Sequence, residues 1–411
     1  MTETKATPLP DLPLTPHLRE ILAALDPSAQ GVDKAISLPP DCYTSEEWFE
    51  FEKRAIFDRD WVCLGHHSLI PKPGDYYSIT MNDDPLLVLR GKDGEVRVMS
   101  AVCAHRGHVL GEARGNTDVF TCPFHGWSYN VDGELVSAPE MDATLPFEEL
   151  QKKACLPQIR TEVWNGFIFM NMDGQARPLA SRLKRLSKEV ENHHLADLVT
   201  PPLVEWADNP WNWKFMQENA IEPYHTWYLH KGPHDFAPSR LASFDEWLED
   251  DDGAIYHPTG FVELDGGFNI ANKCLMPVIK TLTEKERKRV MFATVAPNLF
   301  FGAQPDCVFF YVICPQGANS LTLQVGALVP KETMRLPDFD MRFGATVEGV
   351  SVFNDQDTVA NTLTHKGLRS RFAGRTRYAP KEETLSQFNR WLVKRYKSYG
   401  DDLSGMKRAA E

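Results

Sequence analysis

Two groups of residues in this chain have types and spacings that could do chemistry. The first is Cys103-Ala-His105-Arg-Gly-His108, followed by Cys122-Pro-Phe-His125-Gly-Trp127, so two Cys–His pairs stand sixteen residues apart. Two thiolates and two imidazoles suit a zinc ion. They suit equally a [2Fe–2S] cluster, with both cysteines on one iron and both histidines on the other. Zinc sites need neither a glycine after each pair nor a set aromatic. Here Gly107 and Gly126 permit a tight backbone turn over the ligands and N–H donation to cluster sulfurs, which favours the cluster. His108 falls outside the four-ligand pattern and reads as packing or support. Cys42, Cys63, Cys155, Cys274, Cys307 and Cys314 read as small buried hydrophobes.

The second group is Asn219-Ala-Ile-Glu222-Pro-Tyr224-His225-Thr-Trp-Tyr-Leu-His230. Two histidines five residues apart lie about 140° apart around a regular helix. Both can face one metal only if the helix ends, tightens or bulges between them. Glu222, three residues before His225, shares its face if the segment is helical, and a carboxylate there can hold the imidazole N–H.

The elements around these groups divide the chain. Residues 1–42 are Pro-rich and read as an N-terminal extension with one short helical pattern, His17 to Leu25. Thr44 to Phe57 reads as a helix capped by Thr44 or Ser45. From Trp61 to Met172 short β-rich runs alternate with turn signals: Pro85 to Arg90 and Glu95 to Ser100 flank Gly91-Lys92-Asp93-Gly94, and Ser128 to Asn130 and Leu135 to Ser137 flank a second hairpin turn. Ser181 to His194 and Trp213 to Leu229 read as helical. Strands are expected at Phe261 to Phe268, Arg289 to Ala296, Cys307 to Cys314 and Ser320 to Leu328. The last shows the alternation of a half-buried antiparallel strand. Helices at Phe343 to Thr364 and Glu382 to Tyr399 follow, making the second part α+β.

Taken together, the paired Cys–His motifs, the Asn-x₂-acid-x-Tyr-His-x₄-His stretch and Asn354-Asp-Gln-Asp357 through His365-Lys-Gly367-Leu368-Arg-Ser370 resemble the Rieske-type non-haem iron (aromatic-ring-hydroxylating) oxygenases, specifically their terminal oxygenase alpha subunit. The resemblance spans roughly residues 43–398. It implies a Rieske [2Fe–2S] β domain with its lead-in helix over 43–172. Residues 173–411 would form a catalytic domain with a curved antiparallel sheet in a helix-grip arrangement. Cys103, His105, Cys122 and His125 would hold the cluster. His225, His230 and Asp357 would bind ferrous iron, Asp357 standing eight residues before a position where His365 replaces the family's Gln; Asp355 is the competing acid. Glu222 would bridge the iron histidine to His125 of a neighbouring subunit in a head-to-tail homotrimer and carry the electron. Asn219 and Tyr224 would support the site.

The activity so implied uses O₂, with electrons from NADH or NADPH through a separate flavin/iron–sulfur reductase, in some systems via a ferredoxin. The chain carries no G-x-G-x-x-G nucleotide fingerprint of its own. The substrate would be a small organic molecule. A bridging Glu hints at hydroxylation or demethylation of a quaternary ammonium compound, although Glu222-Pro223-Tyr224 departs from the Glu-Cys-Tyr of that branch. Aromatic ring dihydroxylation and demethylation of an aromatic acid are the alternatives. Trp211, Trp213, Trp227, Tyr228, Phe300, Phe301, Phe309, Phe310 and Tyr311 are candidate pocket aromatics. A Rieske electron carrier or a structural metal protein would not need His225, His230 and Asp357.

Composition narrows the partners. A net charge of −13 disfavours nucleic acid and anionic membrane. The N-terminus lacks a basic region followed by an apolar run, and the scattered cysteines suit a reducing compartment, so a cytoplasmic protein is expected.

Overall fold

The computed structural model describes residues 9–410, apart from 11, 112, 233, 234 and 270. The first eight residues of the expected extension lie outside the described residues. The chain forms two compact units.

The first unit holds Asp58–Ala176. Its strands are β1 (Val62–His66), β2 (Asp75–Met81), β3 (Asp84–Arg90), β4 (Val96–Ser100), β5 (Arg114–Asn116), β6 (Val119–Thr121), β7 (Ser128–Asn130), β8 (Leu135–Ser137), β9 (Gln158–Trp164) and β10 (Phe167–Asn171). They make a seven-stranded sheet in the order β1-β10-β9-β4-β3-β2-β5 and a three-stranded sheet, β6-β7-β8. Both expected hairpins, β3–β4 and β7–β8, are present. The loops between β4 and β5 and between β6 and β7 carry the two Cys–His pairs.

The second unit holds Pro10–Phe57 and Arg177–Glu411. Its strands are β11 (Val204–Asn209), β12 (Ala254–Gly260), β13 (Arg289–Val295), β14 (Leu299–Ala303), β15 (Val308–Gly317) and β16 (Ser320–Leu328). They pair antiparallel throughout, in the order β11-β16-β15-β14-β13-β12. The helix Trp213–Ile221 packs on β12, β13 and β15, and the helices Phe339–Leu368 and Glu383–Ala410 complete the α+β unit. Among the described residues no helix is long and apolar enough to cross a membrane.

The structure departs from the sequence expectations in four places. Phe261 to Phe268 is not a strand; Asp265 turns the chain with φ +58° ahead of Gly266-Gly267, and its carboxylate pairs with Arg287. The strand lies just before it, at β12. Pro258 masked that strand, yet β12 is the sheet edge, where a missing N–H costs no ladder bond. Along β16, Leu321, Thr322 and Leu323 are buried in succession, so clean alternation is absent. Residues 181–194 break into short helical pieces rather than one helix.

Residues 43–57 also group differently from the domain boundary drawn above. The helix Glu46–Glu52, N-capped by Ser45 through a bond from Trp48 N, belongs to the second unit. Trp48 and Phe51 stack on each other and meet Tyr396, with Phe51 also against Tyr399. Beneath them lies a fully buried ion pair, Lys214 Nζ to Glu52 Oε1 at 2.7 Å. Glu52 also accepts from Trp213 Nε1 at 3.0 Å and from the Tyr396 hydroxyl. Removing one partner of such a pair strands a charge in low dielectric. Lys214→Met is therefore expected to destabilise the second unit by about 3–5 kcal/mol, read as a lower midpoint in thermal unfolding. Restoring most of the loss with the double replacement Lys214→Met, Glu52→Leu would support this account. An unchanged midpoint in the single variant would contradict it.

Candidate metal centres

The second unit builds its centre on a helix that stops early. Asn212 caps Trp213–Ile221, its Oδ1 accepting from Lys214 N at 3.1 Å. Pro223 disfavours helix for the residue before it, and Glu222 is extended at φ −115°, ψ 132°. A single turn, Thr226–Leu229, follows, with His225 as its N-cap and His230 as its C-cap. The turn ends at Leu229, and with His230 at its C-cap the two rings meet with Nε2 atoms 3.2 Å apart.

Glu222 reaches His225 through a turn, not along a helix face as expected. Its carboxylate takes the Tyr224 N–H, the His225 N–H at 3.1 Å and His225 Nδ1 at 2.6 Å. His230 Nδ1 meets Gln356 Oε1 at 2.7 Å. Both Nδ1 positions face acceptors and so carry the protons, which leaves both Nε2 lone pairs converging. Asp357 Oδ1 joins them, 3.1 Å from His230 Nε2 and 3.8 Å from His225 Nε2. Asn219 Nδ2 holds that oxygen at 3.1 Å.

Three electron-rich atoms aimed at one another suit a cation between them. Donors each about 2.1 Å from one metal at right angles stand about 3.0 Å apart, which fits these distances. Burial disfavours an imidazolium at His225, but Glu222 and then Asp357 outweigh it and raise the pKa, so the site favours positive charge. Among the described residues, His225, His230 and Asp357 form the one group of three or more potential ligands whose atoms lie within 4.8 Å of one another. Asp355, the competing acid, is exposed on the helix Phe339–Leu368.

Above this group lies a pocket that these residues help to line. Its sheet wall follows from cross-strand register: Phe292 on β13 lies opposite Gly302 on β14, Gly302 opposite Phe309 on β15, and Phe300 opposite Tyr311. A Cβ at Gly302 would fall 2.1 Å from the Phe309 ring, so glycine is what lets that ring lie across the strand. Val350, Phe353, Asn354 and Asp357 form the helix wall, at the i, i+3, i+4, i+7 spacing of one helix face. Phe268, His257 and Thr259 also line it.

Of the candidate aromatics, Phe300, Phe309 and Tyr311 line the pocket. Trp227 and Tyr228 are exposed instead, at 51% and 73%. Trp211, Trp213, Phe301 and Phe310 are core. His365 sits apart from the triad: its Nε2 meets Asn319 Oδ1 at 2.9 Å, tying the helix end to the β15–β16 turn. Gln356 and His257 were missed. No spacing marks Gln356, and His257 lies on the strand that Pro258 concealed.

In the first unit the two Cys–His loops fold alike. Cys103 N bonds to His108 O at 2.9 Å and Cys122 N to Trp127 O at 2.7 Å, while the N–H groups of Gly107 and Gly126 close the loops onto Cys103 O and Cys122 O, both at 3.0 Å. These glycines have φ of +76° and +74°, the left-handed region they were expected to supply. Their N–H groups go to carbonyls, however, not to sulfur. Donation to sulfur falls to Tyr129, whose hydroxyl lies 3.3 Å from Cys103 Sγ and itself accepts from Ala104 N at 3.0 Å. The cysteines are buried and His125 is exposed. His105 stacks on Trp127, 7° from parallel, and its buried Nδ1 has no hydrogen-bond partner. Two buried thiolates, with one half-buried and one exposed imidazole, suit a two-iron cluster. His108 is exposed and bonds locally to Val109 O.

Comparison with known proteins agrees with both centres. The family model described as ring hydroxylating alpha subunit (catalytic domain) matches residues 188–398, over half of the chain. The chain belongs to this family of Rieske oxygenase alpha subunits. A Rieske [2Fe-2S] domain model matches residues 60–157. The two domains imply a Rieske cluster and a mononuclear iron. The carnitine monooxygenase oxygenase subunit of Acinetobacter pittii is 33% identical over 208 residues, 49% of this chain and 54% of that protein. The biphenyl 2,3-dioxygenase subunit alpha of Rhodococcus jostii is 38% identical over 197 residues, 46% of this chain and 42% of that protein. The chain thus spans about half the length of the curated relatives it matches. A crystal structure of the quaternary ammonium Rieske monooxygenase CntA in complex with an inhibitor matches with a TM-score of 0.75 at 22% identity, over 95% of this chain and 99% of that one, a likeness of fold.

The Glu222 contacts carry a prediction. An amide offers one acceptor oxygen where the carboxylate serves three N–H groups. Glu222→Gln is expected to cost about 10–100-fold in iron affinity or turnover, measured by iron loss to a chelator and by steady-state rate. Wild-type values for both would show that Glu222 does not orient His225.

Proposed function

We propose that this protein is the terminal oxygenase of a multicomponent system, using O₂ and reductase-supplied electrons to oxygenate a small, largely apolar substrate. The observation that carries the reading is the convergence of His225, His230 and Asp357 beneath an aromatic pocket. Three protein ligands leave positions open for chemistry, as a closed structural site does not. Iron held there would supply O₂ activation. The chain's own part is to orient the imidazoles through Glu222 and Gln356, to hold Asp357 through Asn219, and to keep the substrate in an apolar, water-poor space.

Cys103, His105, Cys122 and His125 are the proposed cluster ligands. NADH or NADPH is the proposed ultimate donor, through a flavin/iron–sulfur reductase and in some systems a ferredoxin. A homotrimer, with Glu222 of one subunit facing the cluster of the next, is the proposed assembly. None of the eight cysteines forms a disulfide, which suits work in a reducing cytoplasm.

For the substrate, Phe268, Phe292, Phe300, Phe309, Tyr311 and Phe353 suit an aromatic ring. A quaternary ammonium group is the second reading, favoured by the same rings through cation–π attraction and by the carnitine monooxygenase relative. The test is turnover with a surrogate reductase, NADH and O₂, scored for oxygenated product from tetralin and from phenyltrimethylammonium. Oxygenated product from either supports an oxygenase. NADH-dependent reduction of the cluster with no oxygenation of any probe would instead favour an electron carrier.

A further inference from the structure

Resting on the oxygenase reading, this inference concerns what the pocket selects. Asn354 is 6% exposed and lines the pocket one helical turn before Asp357. Its Oδ1 accepts from the Tyr311 hydroxyl at 2.9 Å, and Tyr311 is itself a lining residue. In this arrangement the amide oxygen is taken up by Tyr311. The remaining donor, Nδ2, is buried and has no hydrogen-bond partner. A buried, unpaired amide donor carries a desolvation penalty that a bound acceptor removes.

The rest of the lining limits that acceptor. Among the described lining residues there is no Lys or Arg, and the acids are Glu222 and Asp357, both engaged at the metal centre. His257 is neutral near pH 7, because burial pushes its pKa down to about 4. A carboxylate would find no side-chain counter-charge in this lining and could be paired only by reaching the metal itself. Six of the lining residues carry phenyl or phenol rings.

We propose that the pocket selects a neutral, ring-bearing apolar substrate carrying one hydrogen-bond-accepting oxygen, which takes the free N–H of Asn354. Residues three apart on a helix lie about 5–6 Å apart at Cβ. An oxygen held at Asn354 therefore places a carbon of the same ring system beside the metal ligands. Asn354 is in this sense a specificity residue. Its partner Tyr311 positions it.

The test is calorimetric binding to the iron-loaded protein without reductase, using 1-tetralone, tetralin and 1-naphthoate, which share a bicyclic frame. We expect 1-tetralone to bind about tenfold tighter than tetralin, and 1-naphthoate to bind more weakly than either. In Asn354→Leu the tetralone preference should vanish while tetralin affinity holds, with iron content and cluster spectrum unchanged. Equal binding of tetralone and tetralin to the wild-type protein would overturn the proposal. So would a preference that survives Asn354→Leu, tight binding of 1-naphthoate, or no binding of any probe. The wild-type ratios decide the matter even if the variant does not fold. The oxygenase reading rests on iron content and product formation, so either can fail without the other.

Discussion

Asp357→Ala is expected to remove the mononuclear iron and to lower product formation by at least about 10³-fold, while the cluster spectrum is unchanged. Asp357 is the only carboxylate among the three converging residues of the proposed site, and its oxygen lies 3.1 Å from His230 Nε2. Two neutral imidazoles alone hold a divalent first-row ion weakly, and the loss of charge removes most of the attraction in a partly buried site. Asn219 would lose its acceptor as well. The cluster loops belong to the first unit and make none of these contacts. Asp355→Ala, two residues away and exposed, is the control and should change activity by no more than a few-fold. Iron analysis of the two variants decides between the acids. Iron loss from the Asp355 variant with retention in the Asp357 variant would reverse the assignment.

Cys122→Ser is expected to abolish the cluster and with it reductase-driven turnover, by at least about 10³-fold, while the mononuclear iron remains. Cys103 and Cys122 are buried in the same hydrophobic cluster as Trp127, Tyr129 and Leu135. Metal bonds between the two loops would staple that small core, because cluster binding is folding free energy for the loops that supply ligands. The first unit should therefore also unfold at a lower temperature. Visible absorption and differential scanning calorimetry read the two effects. A variant that keeps the brown colour and full turnover would show that Cys122 is not a ligand.

Much of this was legible in the residues because short-range rules decide it. The histidine spacing showed that a regular helix could not serve both rings, but the break itself was not placed: Trp213 to Leu229 read as one helical stretch, whereas the helix stops at Ile221 ahead of Pro223. Gly107 and Gly126 announced left-handed turns. Tertiary placement was less legible. Trp227 and Tyr228 looked like pocket aromatics because they flank His230, yet a single helical turn sends them outward. Phe268 reaches the pocket from a loop that the sequence had led us to expect as a strand. Gln356 touches His230 across 126 residues of sequence, a contact no local pattern encodes. Asn354 likewise gains its significance from Tyr311 on a distant strand.

The most direct measurement is metal content with visible absorption and low-temperature EPR of the dithionite-reduced protein, purified anaerobically after expression with iron. About three irons per chain, with a Rieske signal, is the expected result: two in the cluster and one at the triad. About two irons in Asp357→Ala, with the same signal, completes it. Zinc in place of iron, with no cluster spectrum in the freshly isolated protein, would contradict the account.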